Sequence, residues 1–306
     1  MPLGNVVNAA SAAATASVNR DIVVIGASSG GIRALWGLLG ALPPTLPAAV
    51  VVVVHMSRHD TSYLAETLQQ QTKLRVKTAK DGEPLQRGVV YVPVPDRHLL
   101  VAEEGLRLTR GPRESRSRPA VDALFRSAAV AFGSRVIGVV LTGYLDDGTA
   151  GLWAIKDRGG KALVQDPATA QAPSMPESAL HAVDPDFVGD PPALANEIAR
   201  LVVSPSVVKS VAMSGRQEIE NRIAMEENGF QAGVMKLGPT STYSCPRDLS
   251  HGFAATPDMP TRPVRSWQNW TSRSSGPYGR ACARWRNASC CCARWPRLPP
   301  LQGRPT

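Results

Sequence analysis

The first 244 residues of this 306-residue chain contain no cysteine, since all five cysteines lie at position 245 or beyond. A disulfide framework is therefore excluded for most of the chain. Long apolar runs are also missing, because the longest, residues 48–54, is far shorter than the roughly 20 residues of a membrane-spanning helix. Residues 1–20 have no basic start and no compact apolar segment, so they predict a disordered lead-in and no secretory signal. We expect a cytoplasmic protein without membrane insertion.

An excess of basic charge is absent before residue 247. The formal net charge is +9, but residues 247–306 hold ten arginines, no lysine and only two acids. The first 246 residues hold 24 basic and 23 acidic side chains and are nearly neutral. For this main part of the chain we therefore expect no specific nucleic-acid partner.

Short β-branched runs alternate with amphipathic stretches from Asp21 onward, which is the pattern of a parallel sheet with crossover helices. A polar turn at 103–105 between two apolar runs predicts one small inserted β-hairpin. We expect a doubly wound, mainly parallel α/β domain of Rossmann-like topology over residues 21–203, with flanking helices. The predicted strands are 22–26, 48–55, 89–92, 136–142 and 162–165. The predicted helices are 30–42, 61–71, 121–132, 148–157, 176–182 and 193–202.

The first predicted strand runs directly into residues 26–31 (GASSGG) and then a helix. Ser28 is therefore predicted on a tight turn at the carboxyl edge of the sheet, where open α/β folds hold their sites. The N–H groups that begin the helix, Ser29 first, can stabilise an oxyanion. A Gly-rich phosphate or dinucleotide turn is the alternative, although neither G-x-G-x-x-G nor G-K-[ST] is present. The turn alone leaves both interpretations open.

The second predicted strand ends at His55, one βα unit away at the same edge of the sheet. A histidine at this place can act as a general base. It can equally be a strand-end histidine that hydrogen-bonds to backbone. A zinc site through His55 and His59 is disfavoured, because no cysteine and no H-E-x-x-H pattern accompanies them.

Two aspartates follow the apolar run 136–141, within residues 142–148 (TGYLDDG). A carboxylate between a strand and a helix often does no more than cap that helix. With Ser28 and His55 predicted at the same edge, an aspartate here completes a Ser-His-Asp arrangement at three parallel strand ends. Both Asp146 and Asp147 are candidates for the third position.

Six separated segments resemble, in order, the CheB-type protein-glutamate methylesterases of bacterial chemotaxis. The resemblance covers about residues 21–203, and six ordered segments together are highly specific. The segments are 25–31 (IGASSGG), 54–56 (VHM), 90–93 (VYVP) with 95–98 (PDRH), 118–122 (RPAVD) with 124–125 (LF), 141–143 (LTG) through 147–148 (DG), and 165–167 (QDP) with 174–176 (SMP).

The resemblance implies hydrolysis of glutamyl γ-methyl esters on receptor helices, with Ser28 as nucleophile and His55 as general base and acid. Asp147 would orient His55, and it is favoured over Asp146 because it directly precedes Gly148 as the family's aspartate precedes its glycine. Deamidation of receptor glutamines by the same acyl chemistry is implied as well. No metal or organic cofactor is needed. The implied partners are methyl-accepting receptors and, with them, a separate response regulator or methyltransferase.

The resemblance also implies an oxyanion hole from the backbone around Ser29 and Tyr144, with Met175 beside the substrate. The family often has Gly-Met-Gly where this chain has residues 143–145 (GYL), so the loop is expected to differ in shape. Chemotaxis members often carry an N-terminal receiver domain. Only about twenty low-complexity residues precede the domain here, so we expect no gating by an attached receiver.

Three arginines, Arg97, Arg116 and Arg118, are candidates to contact an acidic receptor surface. The alternative for each is a solvated basic loop. For the whole domain, the rival of the enzyme is a non-catalytic signalling or protein-binding module on the same fold. Retention of all three candidate triad residues favours the enzyme, and a nucleotide-binding protein is the third choice.

The segment after residue 203 changes character in two steps. Residues 204–246 predict a linker, within which 217–238 would form one further helix and a linker. Residues 242–246 (TYSCP) resemble the opening of a zinc ribbon without its second cysteine. From 247 to 306 the sequence has eight prolines and no sustained period, and Arg appears without Lys. We hypothesise that the reading frame was lost shortly after Cys245. A basic, tryptophan-bearing nucleic-acid-binding arm is the alternative.

Overall fold

The structure, a computed structural model, describes residues 17–57, 63–207 and 215–225. Its strands are β1 (Ser17–Asn19), β2 (Ile22–Ala27), β3 (Ala49–Val54), β4 (Arg75–Thr78), β5 (Val89–Val92), β6 (His98–Ala102), β7 (Gly105–Thr109), β8 (Val136–Val140), β9 (Lys161–Gln165), β10 (Phe187–Gly189) and β11 (Pro205–Val207). Its helices are α1 (Gly31–Ala41), α2 (Leu64–Gln69), α3 (Val121–Phe132), α4 (Thr149–Asp157), α5 (Ser174–Ala182), α6 (Pro191–Val202) and α7 (Gly215–Met225). Short 3-10 turns lie at Gly133–Arg135 and Pro167–Thr169.

Seven strands form one sheet in the order β10-β9-β8-β2-β3-β5-β4. Every neighbouring pair in it is parallel. The separate antiparallel pair β6–β7 is the predicted inserted hairpin. The prediction of a doubly wound, mainly parallel α/β fold is therefore confirmed.

The two faces of the sheet carry separate apolar cores, because successive side chains of a strand point to opposite faces. In β2, Val23 and Ile25 pack in one core with apolar residues of α1, α2 and α6. Ile22 and Val24 pack in the other core with residues of α3, α4, α5 and the hairpin. Helices thus cover both faces, which explains why the central strands are apolar at every position.

The direction of winding reverses between β2 and β8. From β2 the chain builds β3, β4 and β5 on one side, and it then returns to place β8 on the other side of β2. A crevice opens at the carboxyl ends of the two strands at such a switch point, and open α/β folds bind their ligands there. The turn after β2 and the loop after β8 both lie at this edge.

Some elements differ from the prediction. Ser17–Asn19, in the stretch expected to be disordered, form β1 and pair with β11, and the Arg20 guanidinium donates to the Ser204 carbonyl at 3.4 Å. The helix expected at 61–71 covers Leu64–Gln69, and residues 58–62 lie outside the described part of the chain. Within the predicted linker, α7 is described over Gly215–Met225. Residues 1–16, 208–214 and 226–306, with the predicted lead-in, zinc-ribbon opening and tail, also lie outside the described residues.

Candidate active site

Backbone hydrogen bonds hold three strand ends together at the switch point. The Ser28 N–H donates to the Thr142 carbonyl at 2.9 Å, and the His55 N–H donates to the Ala27 carbonyl at 3.2 Å. These bonds extend the parallel ladders one residue beyond β2 and β3. Ser28, His55 and the loop after β8 are therefore placed by the sheet itself, and their separations are set by the spacing of its strands.

Two glycines allow the backbone to pass close to Ser28. Gly30 has φ 76°, a left-handed conformation that lets the chain turn sharply from β2 into α1. Gly143 packs directly against Ser28, because a Cβ there would come within 2.8 Å of the Ser28 Cβ and would clash with the Met175 sulfur. The loop after β8 thus touches the turn after β2.

The three predicted triad side chains form one hydrogen-bonded chain. The Ser28 Oγ lies 3.0 Å from His55 Nδ1, and His55 Nε2 lies 2.6 Å from Asp147 Oδ2. A neutral imidazole protonated at Nε2 donates to Asp147 and presents the Nδ1 lone pair to the serine hydroxyl. The His55 side chain is 20% exposed and that of Asp147 only 2%, so the buried carboxylate orients a ring that reaches the surface.

Asp147 is held by the start of α3 as well as by His55. Its Oδ2 accepts the Val121 N–H and its Oδ1 accepts the Asp122 N–H, both at 2.9 Å. The N-cap residue of α3, Ala120, offers no side-chain cap, so Asp147 supplies the capping oxygens from another loop. Helix N-termini favour negative charge, which stabilises the ionised carboxylate. Asp146 is exposed and does not face the histidine, so the geometry selects Asp147.

The contact between α3 and α4 is reciprocal. Asp122 Oδ1 accepts the Gly151 N–H of α4 at 2.7 Å, whereas Gly148, the N-cap of α4, has no side chain. The first turn of each helix therefore donates backbone N–H groups to a carboxyl group from the other segment. Burial, and next the charge of Asp147, raise the pKa of the Asp122 carboxyl well above its usual range.

Two backbone amides on the segments that contact each other at Ser28 are without an acceptor in the described part of the chain. Among the described residues, the N–H groups of Ser29 and Tyr144 find no hydrogen-bond acceptor. Ser29 follows Ser28, and Tyr144 follows Gly143, which packs on Ser28. Thr142 fixes their spacing, because its Oγ1 donates to the Ser29 carbonyl at 2.9 Å and accepts the Ala172 N–H at 2.8 Å. Preorganised amides of this kind are what an acyl-transfer site requires.

Met175 and Thr142 have roles that the sequence prediction did not assign. Met175, predicted beside the substrate, is fully buried, and its N–H donates to the Gly143 carbonyl at 3.0 Å. Its side chain packs against Gly143 in the interior of the protein and does not line an open surface. Thr142 was not among the predicted site residues, although it lies inside a segment that carried the resemblance. A polar residue directly at the end of an apolar strand was the available signal.

Leu145 has a strained backbone. Its φ is 69°, in the left-handed region that costs a residue with a Cβ about 1 kcal/mol. Two serines of α5 hold this conformation: Ser174 Oγ accepts the Leu145 N–H at 2.9 Å, and Ser178 Oγ donates to the Leu145 carbonyl at 3.1 Å. Tyr144 and Leu145 are nevertheless 63% and 56% exposed. The loop thus presents two apolar side chains to solvent next to Ser28.

Of the three arginines considered for a receptor surface, Arg118 is occupied within the fold. Its guanidinium bonds Asp96 Oδ1 at 2.8 Å and the carbonyl of Gly111 at 2.9 Å. The prediction for Arg118 is corrected accordingly, since a guanidinium engaged in this way holds the loop before α3. Arg97 is half-buried and Arg116 is exposed.

Neither a metal cluster nor a membrane-spanning helix is found in the described ranges. No group of three or more His, Cys, Asp or Glu side chains there could hold a metal ion. The helices of the same ranges are too short or too polar to cross a bilayer.

A hydrogen-bonded Ser-His-Asp chain beside two free amides, at the switch point of a doubly wound sheet, is the arrangement of a serine hydrolase. Comparison with known proteins agrees with this class. The family model described as CheB methylesterase matches residues 23–198. The chain belongs to the CheB methylesterase family, and the predicted family is confirmed.

Individual relatives support the assignment. The chain is 38% identical over 191 residues to a Methanosarcina mazei protein named protein-glutamate methylesterase/protein-glutamine glutaminase 2, covering 60% of this chain and 52% of that protein. It is 45% identical over 166 residues to an Anaeromyxobacter dehalogenans protein of the same name, covering 54% and 49%. The chain thus spans about half the length of these two relatives. The crystal structure of the Thermotoga maritima CheB methylesterase catalytic domain matches with a TM-score of 0.58 at 35% identity, covering 60% of this chain and all of that one.

Proposed function

We propose that this protein is a protein-glutamate methylesterase that hydrolyses glutamyl γ-methyl esters on methyl-accepting chemotaxis-type receptors in the cytoplasm. In this proposal residues 21–203 are the catalytic domain, with Ser28, His55 and Asp147 as its catalytic residues. The single observation that carries it is the continuous hydrogen-bonded chain from the Ser28 hydroxyl through His55 to the buried Asp147 carboxylate.

The first half of the reaction follows from the site geometry. Ser28 Oγ attacks the ester carbonyl carbon while His55 Nδ1 takes the hydroxyl proton. The imidazolium that forms is stabilised by Asp147, which already accepts the Nε2–H. The oxyanion of the tetrahedral intermediate binds the Ser29 and Tyr144 amides. The intermediate then collapses, Nδ1 returns its proton to the methoxy oxygen, and methanol leaves a glutamyl-Ser28 ester.

The second half repeats these steps with water. His55 Nδ1 takes a proton from a water molecule that attacks the acyl-enzyme, and it returns the proton to Ser28 Oγ as glutamate is released. An amide of glutamine can enter the same route, with ammonia in place of methanol. Glutamine deamidation is therefore part of the proposal, and no step in it needs a metal or organic cofactor.

The alternative is a non-catalytic module that keeps this fold for signalling or protein binding. The assembled triad favours the enzyme, because a buried carboxylate, an oriented imidazole and a serine would have no need to align in a binding module. Methylated receptor helices are the proposed substrate, and a separate response regulator or methyltransferase would act in the same pathway.

The proposal is tested by release of radiolabelled methanol from methylated receptor membranes. We expect the full chain to release methanol and Ser28→Ala to lose about 10⁴-fold or more in kcat. Ser204→Ala is the matched control, because that serine lies at the end of α6 and its hydroxyl bonds only the Arg200 carbonyl among the described groups. A folded wild-type protein that releases no methanol, or a Ser28→Ala variant as active as the control, would favour the non-catalytic module.

A further inference from the structure

Leu145 has an exposed apolar side chain and a strained backbone. Residues of α5, outside its own loop, hold this backbone conformation. The left-handed φ of 69° is unfavourable for a side chain that branches at Cγ. Ser174 and Ser178, one turn apart on α5, engage both the N–H and the carbonyl of this residue. With 56% of the residue exposed, the strain is not offset by burial of the side chain in the core. Strain kept at such a position points to a function outside the core.

The place of Leu145 relative to Ser28 limits what it can touch. Gly143 packs on the Ser28 Cβ, and Leu145 is two residues further, at most about 7.6 Å along the chain from Gly143. Tyr144, between them, is 63% exposed. Both side chains therefore belong to the loop that packs on Ser28, one and two residues from the point of contact.

The substrate brings polypeptide into the same space. In a glutamyl ester only two methylene groups separate the attacked carbonyl carbon from the Cα atom, so the substrate backbone comes within about 4 Å of that carbon. The residues that flank the esterified glutamate must then pass over the rim of the site. Exposed apolar side chains at that rim gain most from burial against apolar neighbours.

We propose that Leu145, with Tyr144 beside it, is a specificity-determining residue that selects substrate polypeptides with apolar residues next to the esterified glutamate. This inference rests on the proposed methylesterase function. The Leu145 side chain contacts the flanking residues and takes no part in bond making, and the two α5 serines keep it at the rim. Selection of a polypeptide context by an apolar contact of this size is worth a factor of roughly 10 to 200 in kcat/KM.

The test uses two glutamyl methyl-ester peptides that differ only in the flanking residues, leucine in one and serine in the other. Wild-type protein is expected to hydrolyse the leucine peptide with at least tenfold higher kcat/KM, mostly through KM. Leu145→Asn, which tolerates a positive φ and is similar in size, is expected to lose this preference. Leu145→Met is expected to keep most of it, because it restores an apolar side chain.

Val203→Asn is the matched control, since Val203 is 64% exposed at the end of α6, away from the switch point. Its peptide preference should equal that of the wild type. A wild-type protein that hydrolyses both peptides equally would overturn the inference and leave the methylesterase function standing. Equal losses on both peptides in Leu145→Asn would also overturn it, because they would show that Leu145 only shapes the oxyanion loop. A wild-type protein inactive on both peptides and on receptor membranes would refute the proposed function itself.

Discussion

The two edges of the central sheet each bury a carboxylate, and they neutralise it in different ways. At the amino edge, Asp21 precedes β2 and accepts two bonds from Arg135 and one from Arg87, each at 2.9 Å. At the carboxyl edge, Asp147 accepts two backbone amides and the His55 ring. Two fixed cations hold the first carboxylate, whereas helix-terminal dipoles and a titratable imidazole hold the second.

The difference shows which edge can do chemistry. A cavity of about 320 Å³ lies at the amino edge and is lined by Asp21, Arg87 and Arg135 among others. Asp21 there is already paired with both arginines, and a guanidinium does not give up its proton near neutral pH. At the carboxyl edge the amides hold Asp147 without supplying a competing cation, so its hydrogen bond to His55 is not shared with a fixed positive charge. This cavity and the candidate active site therefore lie at opposite edges of the sheet.

The strongest test of this comparison is the pair Asp147→Asn and Asp146→Asn. We expect Asp147→Asn to lower kcat for ester hydrolysis by about 10⁴-fold, because the amide no longer stabilises an imidazolium at His55. Asp146→Asn, an exposed neighbour, should stay within about twofold of the wild type. Methanol release at saturating substrate measures both. Similar losses in the two variants would contradict the assignment of the third triad position.

The counterpart at the amino edge is Asp21→Asn. This change leaves Arg135 and Arg87 without their carboxylate, and we expect the free energy of unfolding to fall by about 2 kcal/mol. The value is less than for a fully buried pair, because the Arg87 side chain is 66% exposed. Urea unfolding monitored by circular dichroism measures it. The kcat should be unaffected, and a large loss of kcat would remove the functional contrast between the two edges.

The dependence of the unfolding free energy on acidic pH should show a smaller effect of Asp21. Burial raises the pKa of Asp21, but the hydrogen bonds from Arg135 and Arg87 outweigh burial and leave the pKa lowered. A lowered folded-state pKa contributes stability above the unfolded value of about 3.9, and this contribution is lost as the pH falls through the folded pKa. The stability difference between the wild type and Asp21→Asn should thus be constant near neutral pH. It should shrink below about pH 4, and a difference that grows with acid would refute this account.

The smallest effect separates the two arginines. Arg135 meets Asp21 with two nitrogens and also lies 4.8 Å from the centre of the Phe132 ring, whereas Arg87 offers one nitrogen. We expect Arg135→Gln to cost about 1 kcal/mol and Arg87→Gln about 0.5 kcal/mol or less in unfolding free energy. Thermal unfolding of both variants against the wild type measures this order. The reverse order would mean that the bidentate geometry contributes nothing.

The sequence was most informative where strands are buried on both faces. The apolar runs of β2, β3, β5 and β8 are confirmed as the central strands, and the structure brings together Ser28, His55 and Asp147, which follow β2, β3 and β8. The edge strand β4 was not predicted, because Arg75 and Lys77 interrupt its apolar pattern and its residues are largely exposed. An edge strand pairs with one neighbouring strand only and buries little apolar surface, so the alternation of apolar and polar residues in its sequence is weak.

Three features of the site had little or no local signal in the sequence. The residues alone left Asp146 and Asp147 both open, and only the family resemblance favoured Asp147; the structure shows that Asp147 is the one buried against His55. The contact of Asp122 with Gly151 depends on how α3 docks on α4, which no spacing within either segment encodes. The positive φ of Leu145 was equally hidden, because the serines that enforce it belong to α5.

Asp147 accepts an N–H group from the first turn of α3, and Asp122 accepts one from the first turn of α4. The docking of these helices and the assembly of the candidate active site therefore form one cooperative unit. Any opening that parts the helices also removes the oriented carboxylate from His55. Native-state hydrogen exchange should therefore give one common opening free energy for the amides of Val121, Asp122 and Gly151. If that opening occurs below global unfolding, the protein would lose activity on warming while its β-sheet is still intact, and regain it on cooling.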